Sequence, residues 1–191
     1  MKSPFLSGTK VYLRPLERED APLLVPWIND AEVTRTLEVF YRPMNLQTEL
    51  EFIENIYKSE HDVLLGIAVT ATDALIGATG LHRLDCKNRR ASFGVFIGEK
   101  AEWGKGYGTE VTTLMTGYAF ETLNLNRVWL HVYEYNERGI RAYEKVGFTR
   151  EGVLRQDRYH EGRYWDTITM AILREEWEAR KRQVSSALVS S

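Results

Sequence analysis

The sequence predicts one α/β domain, of the α+β type, built on a mixed and largely antiparallel sheet flanked by helices. Its 191 residues are the usual length of a single domain. With 43% hydrophobic and 27% charged residues, the chain has enough core-forming side chains to fold. Its β-rich runs first follow one another in hairpin order and then alternate with helical patterns, which indicates a sheet with antiparallel and parallel parts.

The opening of the chain reads as strand, helix, irregular segment and helix. Residues 11–16 alternate apolar and polar side chains, and Asp20 is placed to cap the helix that follows. Residues 34–45 show no clean period, so we expect them to form one wall of a pocket. Residues 48–58 return to helical spacing.

The rest of the chain continues this alternation, with glycine, asparagine and short polar turns between the elements. The predicted elements are a hairpin over 63–70 and 75–84, a strand over 90–98, a helix that includes 111–119, a strand over 127–133, a short helix capped by Asn136 and ended by Gly147, strands over 152–160 and 164–173, and a final charged helix. We expect one domain over 1–183 and a disordered tail over 184–191.

Charge and cysteine usage exclude several classes of protein. Lys and Arg number 25 against 27 Asp and Glu, so the net charge of −2 gives no general attraction to DNA. No apolar run reaches the ~18 residues of a membrane span, and the first residues lack the apolar core of a signal peptide. With Cys86 as the one cysteine, a cytoplasmic protein is expected. The four histidines are scattered without ligand spacing, so no metal site is expected.

A glycine-rich segment, residues 102–110, lies between a predicted strand and a predicted helix. Its alternate glycines, Gly104, Gly106 and Gly108, allow the backbone N–H groups to form a concave site beside the positive end of the helix, which suits phosphate. Lys105 is followed by Gly106 instead of Ser or Thr, so this is not a Walker loop. A dinucleotide fingerprint starting at Gly104 would need glycine at Thr109.

The glycine-rich segment and a second motif further along the chain resemble two motifs of the GNAT superfamily of N-acetyltransferases, which occur in the same order. Gly106 and Gly108 fill the small positions of the family's [Q/R]-x-x-G-x-[G/A] loop, and Trp103 stands in its Gln/Arg position. Residues 136–148, NERGIRAYEKVGF, resemble N-x-x-[SA]-x-x-x-Y-x-K-x-G-F, with Gly139 in the Ser/Ala position. The resemblance extends over most of the chain. Within the superfamily, the chain resembles above all the ribosomal-protein N-terminal acetyltransferases and the spermidine acetyltransferases.

The resemblance implies a splayed sheet, acetyl-CoA as acetyl donor, and a role for residues in three segments. By spacing alone Tyr143 is a core aromatic residue and Asn136 a helix cap. In the family this tyrosine is the general acid for the leaving thiolate, and the asparagine also contacts the pantetheine arm. The implied cofactor-binding residues are Phe96, Ile97, Gly104, Lys105, Gly106, Tyr107, Gly108, Thr109 and Asn136.

The general base is open among several residues. Relatives often have a carboxylate at the position of Ser92, so the base lies elsewhere or a water relay replaces it. By residue type and position the candidates are Glu38, His82, Asp85 and Glu134. We favour His82, since an imidazole titrates near neutral pH.

The function expected from these residues is direct transfer of acetyl from acetyl-CoA to a primary amine, either a protein N-terminus or a small molecule. A polyamine would favour several carboxylates, whereas segment 34–45 offers only Glu38 beside Arg35 and Arg42. The alternative is a non-catalytic acyl-CoA-binding sensor module. A homodimer or a higher oligomer is expected by analogy with the family.

Overall fold

The computed structural model of the chain describes residues 3–38 and 42–189, with side chains as far as residue 183. Its strands are β1 (Leu6–Ser7), β2 (Val11–Arg14), β3 (Val63–Val69), β4 (Leu75–Asp85), β5 (Arg90–Ile97), β6 (Arg127–Tyr133), β7 (Thr149–His160) and β8 (Arg163–Leu173). Its helices are α1 (Ala21–Asn29), α2 (Ala31–Thr34), α3 (Leu46–Ile56), α4 (Tyr107–Gly117), α5 (Glu137–Val146) and α6 (Arg174–Val189).

The strands form one sheet in the order β1-β2-β3-β4-β5-β6-β8-β7. The pair β5 and β6 is parallel and is connected through α4, and all other neighbours are antiparallel. The parallel pairing covers only Arg90–Ser92 against Arg127–Trp129, after which the two strands separate. The predicted fold class, a mixed and largely antiparallel splayed sheet with flanking helices, is confirmed.

Hydrophobic side chains fill both faces of this sheet. On one face, α4 and α5 contribute Val111, Met115 and Ile140 to a cluster with alternate residues of the central strands. On the other face, α1 and α3 contribute residues such as Leu24 and Ile53 to a second cluster, which contacts Phe96. Since successive strand residues point to opposite faces, β5 directs Val95 and Ile97 to the first cluster and Phe96 to the second.

Most of the predicted elements are present within a few residues of their expected bounds, including the hairpin of β3 and β4. The cap assigned to Asp20 is wrong in its detail. Asp20 precedes α1, but its carboxylate makes no cap hydrogen bond to that helix. It accepts from the Glu17 N–H at 2.8 Å and from the buried Arg14 at 2.7 and 2.8 Å. Strand β1 and helix α2 are too short to produce a periodic pattern. The backbone of α6 is helical as far as Val189, within the expected tail.

A buried carboxyl group in α3 predicts how stability depends on pH. Glu49 is only 2% exposed, and burial raises the pKa of its carboxyl. Because the folded state holds this proton more tightly than the unfolded state, folding is favoured while the carboxyl is protonated. That stabilisation is lost as the pH rises through the raised pKa. Glu49→Met should therefore stabilise the fold at pH 8 by about 1–3 kcal/mol, and by less at pH 5.

Urea unfolding at the two pH values measures this difference. The control is Glu51→Met on the exposed side of the same helix, where stability should change by less than about 0.5 kcal/mol. Equal effects of Glu49→Met at pH 5 and pH 8 would show that the ionisation of this carboxyl does not govern the effect.

Candidate active site

A cleft of about 560 Å³ opens where β5 and β6 separate, and four segments line it. They are the end of β5, the glycine-rich loop with the start of α4, the first turns of α5, and the α2 segment. Of the irregular segment 34–45, which was expected to form a pocket wall, Arg35 and Thr36 lie in the lining, and residues 39–41 lie outside the described residues. The predicted site residues in its lining are Phe96, Ile97, Gly104, Gly106, Tyr107, Gly108, Thr109, Asn136 and Tyr143.

The end of β5 presents backbone to this cleft. Beyond Ser92 the strand has no β6 partner, while on its other edge Phe96 and Ile97 still pair with Ala78 and Gly77 of β4. Peptide groups on the β6 side are thus available to an extended ligand that carries amides, in the manner of an added strand.

The glycine-rich loop has the geometry of an anion site. Gly104 and Gly106 adopt left-handed φ values of +80° and +87°, and Gly106 is the N-cap of α4. At Gly104 and Gly108 a Cβ would find no atom within 4 Å, so a ligand can approach the backbone closely. The loop and the positive end of α4 therefore fit the pyrophosphate of coenzyme A.

Trp103 links three parts of the cleft. Its indole Nε1 donates to the Ile97 carbonyl at 2.8 Å, which fastens the loop to the end of β5. The guanidinium of Arg138, in the first turn of α5, lies 4.7 Å from the centre of its ring. In the position where the family has Gln or Arg, Trp103 therefore orders the loop and holds a cation at the cleft.

The side chain of Lys105, predicted to bind the cofactor, is not part of the lining. Its ammonium pairs with Glu102 at 2.8 Å, and its carbonyl accepts from Lys10 Nζ at 3.1 Å. Lys10, which precedes β2, thereby places its ammonium group at the loop, which also carries the ammonium of Lys105.

Asn136 caps α5, as expected. Its side-chain oxygen accepts from the N–H of Gly139 at 3.0 Å. A Cβ on Gly139 would lie 2.6 Å from the Asn136 side-chain nitrogen. Glycine in the Ser/Ala position therefore lets the asparagine pack against the helix.

Tyr143 extends from α5 into the cleft. Its ring packs edge-on against Phe93 and tilted against Phe148, at centroid distances of 6.3 and 6.0 Å. Burial raises the pKa of the phenol to about 12, so it stays protonated at neutral pH. No described residue forms a hydrogen bond with its hydroxyl. The cleft lining therefore contains a phenol that is protonated at neutral pH.

The four candidate bases lie apart from one another. Glu38 pairs with His131 at 3.2 Å. Asp85 accepts two hydrogen bonds from Asn88, and Glu134 accepts from the Asp166 N–H, so both have structural roles. His82 is outside the cleft lining and lies on the opposite face of the sheet from Tyr143, at hydrogen-bonding distance from Asp62.

Several residues of the lining carry no signal in the sequence that we could use. Arg35, Arg138 and Lys145 add positive charge to the cleft, and Glu32 and Glu137 add negative charge. Glu32 pairs with Lys100 and Glu137 with Arg141, whereas Arg138 and Lys145 form no ion pair among the described side chains. Helical spacing places Arg138, Arg141 and Lys145 on adjacent turns of α5, but that pattern is also typical of a solvated helix face and does not indicate a binding site by itself.

The sequence profile of the acetyltransferase (GNAT) domain matches residues 10–149, which include β5, the loop and all of α5. The chain belongs to the GNAT acetyltransferase family. It is an N-acetyltransferase that uses acetyl-CoA, and the family and branch expected from the two motifs are confirmed.

Relatives match this acetyltransferase over nearly its full length. The spermidine N(1)-acetyltransferase of Escherichia coli (strain K12) is 32% identical over 184 residues, 96% of each chain. The uncharacterized N-acetyltransferase YoaA of Bacillus subtilis (strain 168) is 32% identical, covering 90% of this chain and 97% of its own. The structure of spermidine N-acetyltransferase from Vibrio cholerae in complex with CoA and spermine superposes with a TM-score of 0.79, at 27% identity over 89% of this chain and 99% of its own.

Within the described ranges, no helix is long and apolar enough to cross a membrane. In the same part of the chain, no three His, Cys, Asp or Glu side chains group as metal ligands.

Proposed function

We propose that this acetyltransferase moves acetyl directly from acetyl-CoA to a primary amine, with Tyr143 as the general acid. The observation that carries the proposal is that Tyr143 lines the cleft where the strands separate, with a phenol that is protonated at neutral pH and has no hydrogen-bond partner among the described residues. Coenzyme A supplies a thioester and a thiolate leaving group. Tyr143 gives its proton to the departing sulfur, and the glycine-rich loop holds the pyrophosphate.

The acceptor in this proposal carries a single amino group. A protein N-terminus and a small molecule with one primary amine both meet this description. The segment 34–45 places the cation Arg35 in the cleft lining, and its carboxylate Glu38 is paired with His131 at 3.2 Å. A positive charge with no free carboxylate beside it among the described residues would disfavour a polyamine with several positive charges.

Thiol release with mass detection of the product tests this function. Acetyl-CoA is offered with spermidine, amino sugars, aminoglycosides and short peptides with free N-termini. We expect acetylation of a mono-amine or peptide and weak turnover of spermidine. Efficient acetylation of spermidine would contradict the acceptor class, and coenzyme A binding without turnover of any amine would favour the non-catalytic sensor.

We also propose a cytoplasmic location, where acetyl-CoA is available, and a homo-oligomeric state. Light scattering on the purified chain measures the second directly, and a monomer at micromolar concentration would contradict it.

Arg138 should contribute to acetyl-CoA binding, since its guanidinium lies in the cleft lining on the Trp103 ring. Loss of a charge-assisted contact to phosphate predicts that Arg138→Ala weakens acetyl-CoA binding by about 10-fold or more. Isothermal titration calorimetry measures the change. Arg150→Ala is the control, because Arg150 pairs with Glu144 outside the cleft lining and should leave the affinity unchanged.

A further inference from the structure

His82 and Asp62 form a hydrogen-bonded pair on the sheet face that carries α1 and α3. His82 Nδ1 lies 3.1 Å from Asp62 Oδ1, and Asp62 Oδ2 accepts from the Ser59 hydroxyl at 2.7 Å. Burial alone would raise the pKa of Asp62, but the hydrogen bonds from Ser59 and His82 outweigh it, so this pKa lies below its usual value. An ionised carboxylate only accepts hydrogen bonds, which places the imidazole proton on Nδ1 and the lone pair on Nε2.

The Nε2 atom of His82 lies above two glycines that face each other across the β4–β5 pair. Gly80 of β4 is the register partner of Gly94 of β5. A Cβ built on Gly80 would lie 2.7 Å from Nε2, and one built on Gly94 would lie 3.7 Å from it. We call the surface of Gly80 and Gly94 the glycine floor. The histidine side chain is 37% exposed, so a small ligand can reach it.

The glycine floor lies beside the point where the strands separate. Gly94 is two residues beyond Ser92, the last β5 residue that pairs with β6. Phe96, in the cleft lining, shares its face about 7 Å further along the strand. The preceding residue, Phe93, points to the opposite face and packs against Tyr143. His82 Nε2 and Tyr143 thus lie on opposite faces of the sheet, and Gly94, which borders the opening between β5 and β6, is the β5 residue beneath the imidazole.

We propose that the acceptor amine binds over the glycine floor with its nitrogen at His82 Nε2, and that Asp62 is the positioning residue for that imidazole. This inference rests on the proposed function. His82 takes a proton from the amine as the nitrogen–carbon bond forms, and Tyr143 gives a proton to sulfur as the carbon–sulfur bond breaks. The imidazolium and the phenolate that remain return to their starting forms by proton exchange with water. The products are the amide and the free thiol, with no other reactant.

A conjugate that carries both substrates tests the acceptor surface without knowledge of the natural acceptor. S-(N-propylcarbamoylmethyl)-coenzyme A has the cofactor and a propyl amide in place of the acceptor. Gly94→Val should weaken binding of this conjugate by about 10-fold or more, because the added side chain fills the acceptor surface. The affinity for coenzyme A alone should stay unchanged. Gly94→Ala is a milder variant whose Cβ has only ordinary contacts, and Gly152→Ala in β7 is the control for a strand glycine with open space.

Equal affinities of Gly94→Val and wild type for the conjugate would overturn the acceptor surface. If the wild type binds neither coenzyme A nor the conjugate, the proposed function fails together with it. If Tyr143→Phe keeps full activity while Gly94→Val still discriminates between the two ligands, only the acid role fails.

The role of His82 is tested with the primary amine that the turnover panel identifies. His82→Ala should lower kcat by on the order of 100-fold, and added imidazole should restore part of the rate in the space above the glycine floor. His61→Ala, which removes an exposed histidine on the segment before β3, should change nothing. If His131→Ala loses activity while His82→Ala does not, the base belongs to the Glu38–His131 pair and the proposal is wrong.

The positioning role of Asp62 has its own readout. In ¹⁵N-histidine NMR spectra of the wild type, neutral His82 should carry its proton on Nδ1. In Asp62→Asn the side-chain amide can donate to Nδ1, so the proton should move to Nε2 and kcat should fall with KM unchanged. An unchanged tautomer in Asp62→Asn would contradict the role.

Discussion

Tyr143→Phe should lower kcat for acetyl transfer by about 100- to 10,000-fold at saturating acetyl-CoA, the usual contribution of a general acid. The phenylalanine ring keeps the contacts with Phe93 and Phe148, and the hydroxyl has no described hydrogen bond to lose. Both the affinity for coenzyme A and the melting temperature should therefore stay close to those of the wild type. Stopped-flow thiol release and calorimetry measure the two quantities.

Tyr118→Phe provides the matched control. Tyr118 is also partly buried, with a pKa raised by burial, but it packs edge-on against Phe5 outside the cleft lining. Since the pKa of Tyr143 is raised to about 12, kcat of the wild type should show no loss of the acid between pH 7 and pH 10. Full activity of Tyr143→Phe, or a titration of the acid below pH 10, would remove this tyrosine from the mechanism.

Asp20→Ala should destabilise the fold by about 3–5 kcal/mol, because it leaves a buried cation without its carboxylate. The guanidinium of Arg14 is 3% exposed and donates to both oxygens of Asp20, which joins β2 to the start of α1. The hydrogen bonds from Arg14 to Asp20 outweigh the effect of burial and raise the pKa of Arg14, so the arginine stays charged. The midpoint of urea unfolding measures the loss.

Two comparisons distinguish the cost of leaving a buried charge unpaired from the cost of losing an ordinary ion pair. Glu144→Ala breaks the exposed pair with Arg150 and should cost less than about 1 kcal/mol. Replacing both Arg14 and Asp20 by Leu should cost less than Asp20→Ala alone, since no unpaired charge remains. A double variant that is as unstable as Asp20→Ala would show that the loss comes from packing instead.

The elements of this fold were largely predictable because their patterns are local. Strand β6, the hairpin of β3 and β4, and the cap and stop of α5 at Asn136 and Gly147 each depend on neighbours in sequence. The role of Asp20 was not predictable, because its partner Arg14 is brought to it by tertiary packing. Strand β1 has only two residues, which is too few for a periodic signal.

The site likewise has a part that local sequence motifs predicted and a part that depends on contacts between distant residues. The glycine loop and Tyr143 come from contiguous motifs, and the structure brings them to one cleft. The contact of Trp103 with Ile97 and Arg138, and the approach of Lys10 to the loop, join residues distant in sequence. The partner of His82 lies twenty positions away, and the facing of Gly80 and Gly94 follows only from strand register.

The most direct test of the site is an experimental structure of this acetyltransferase with coenzyme A bound. We expect the pyrophosphate on the backbone of Gly104–Gly108, the pantetheine along the β6-facing edge of β5, and the sulfur within about 3.5 Å of the Tyr143 hydroxyl. The glycine floor should then be open to the reacting carbon from the opposite face. A thiol bound away from Tyr143, or a pantetheine outside the gap between β5 and β6, would contradict the account.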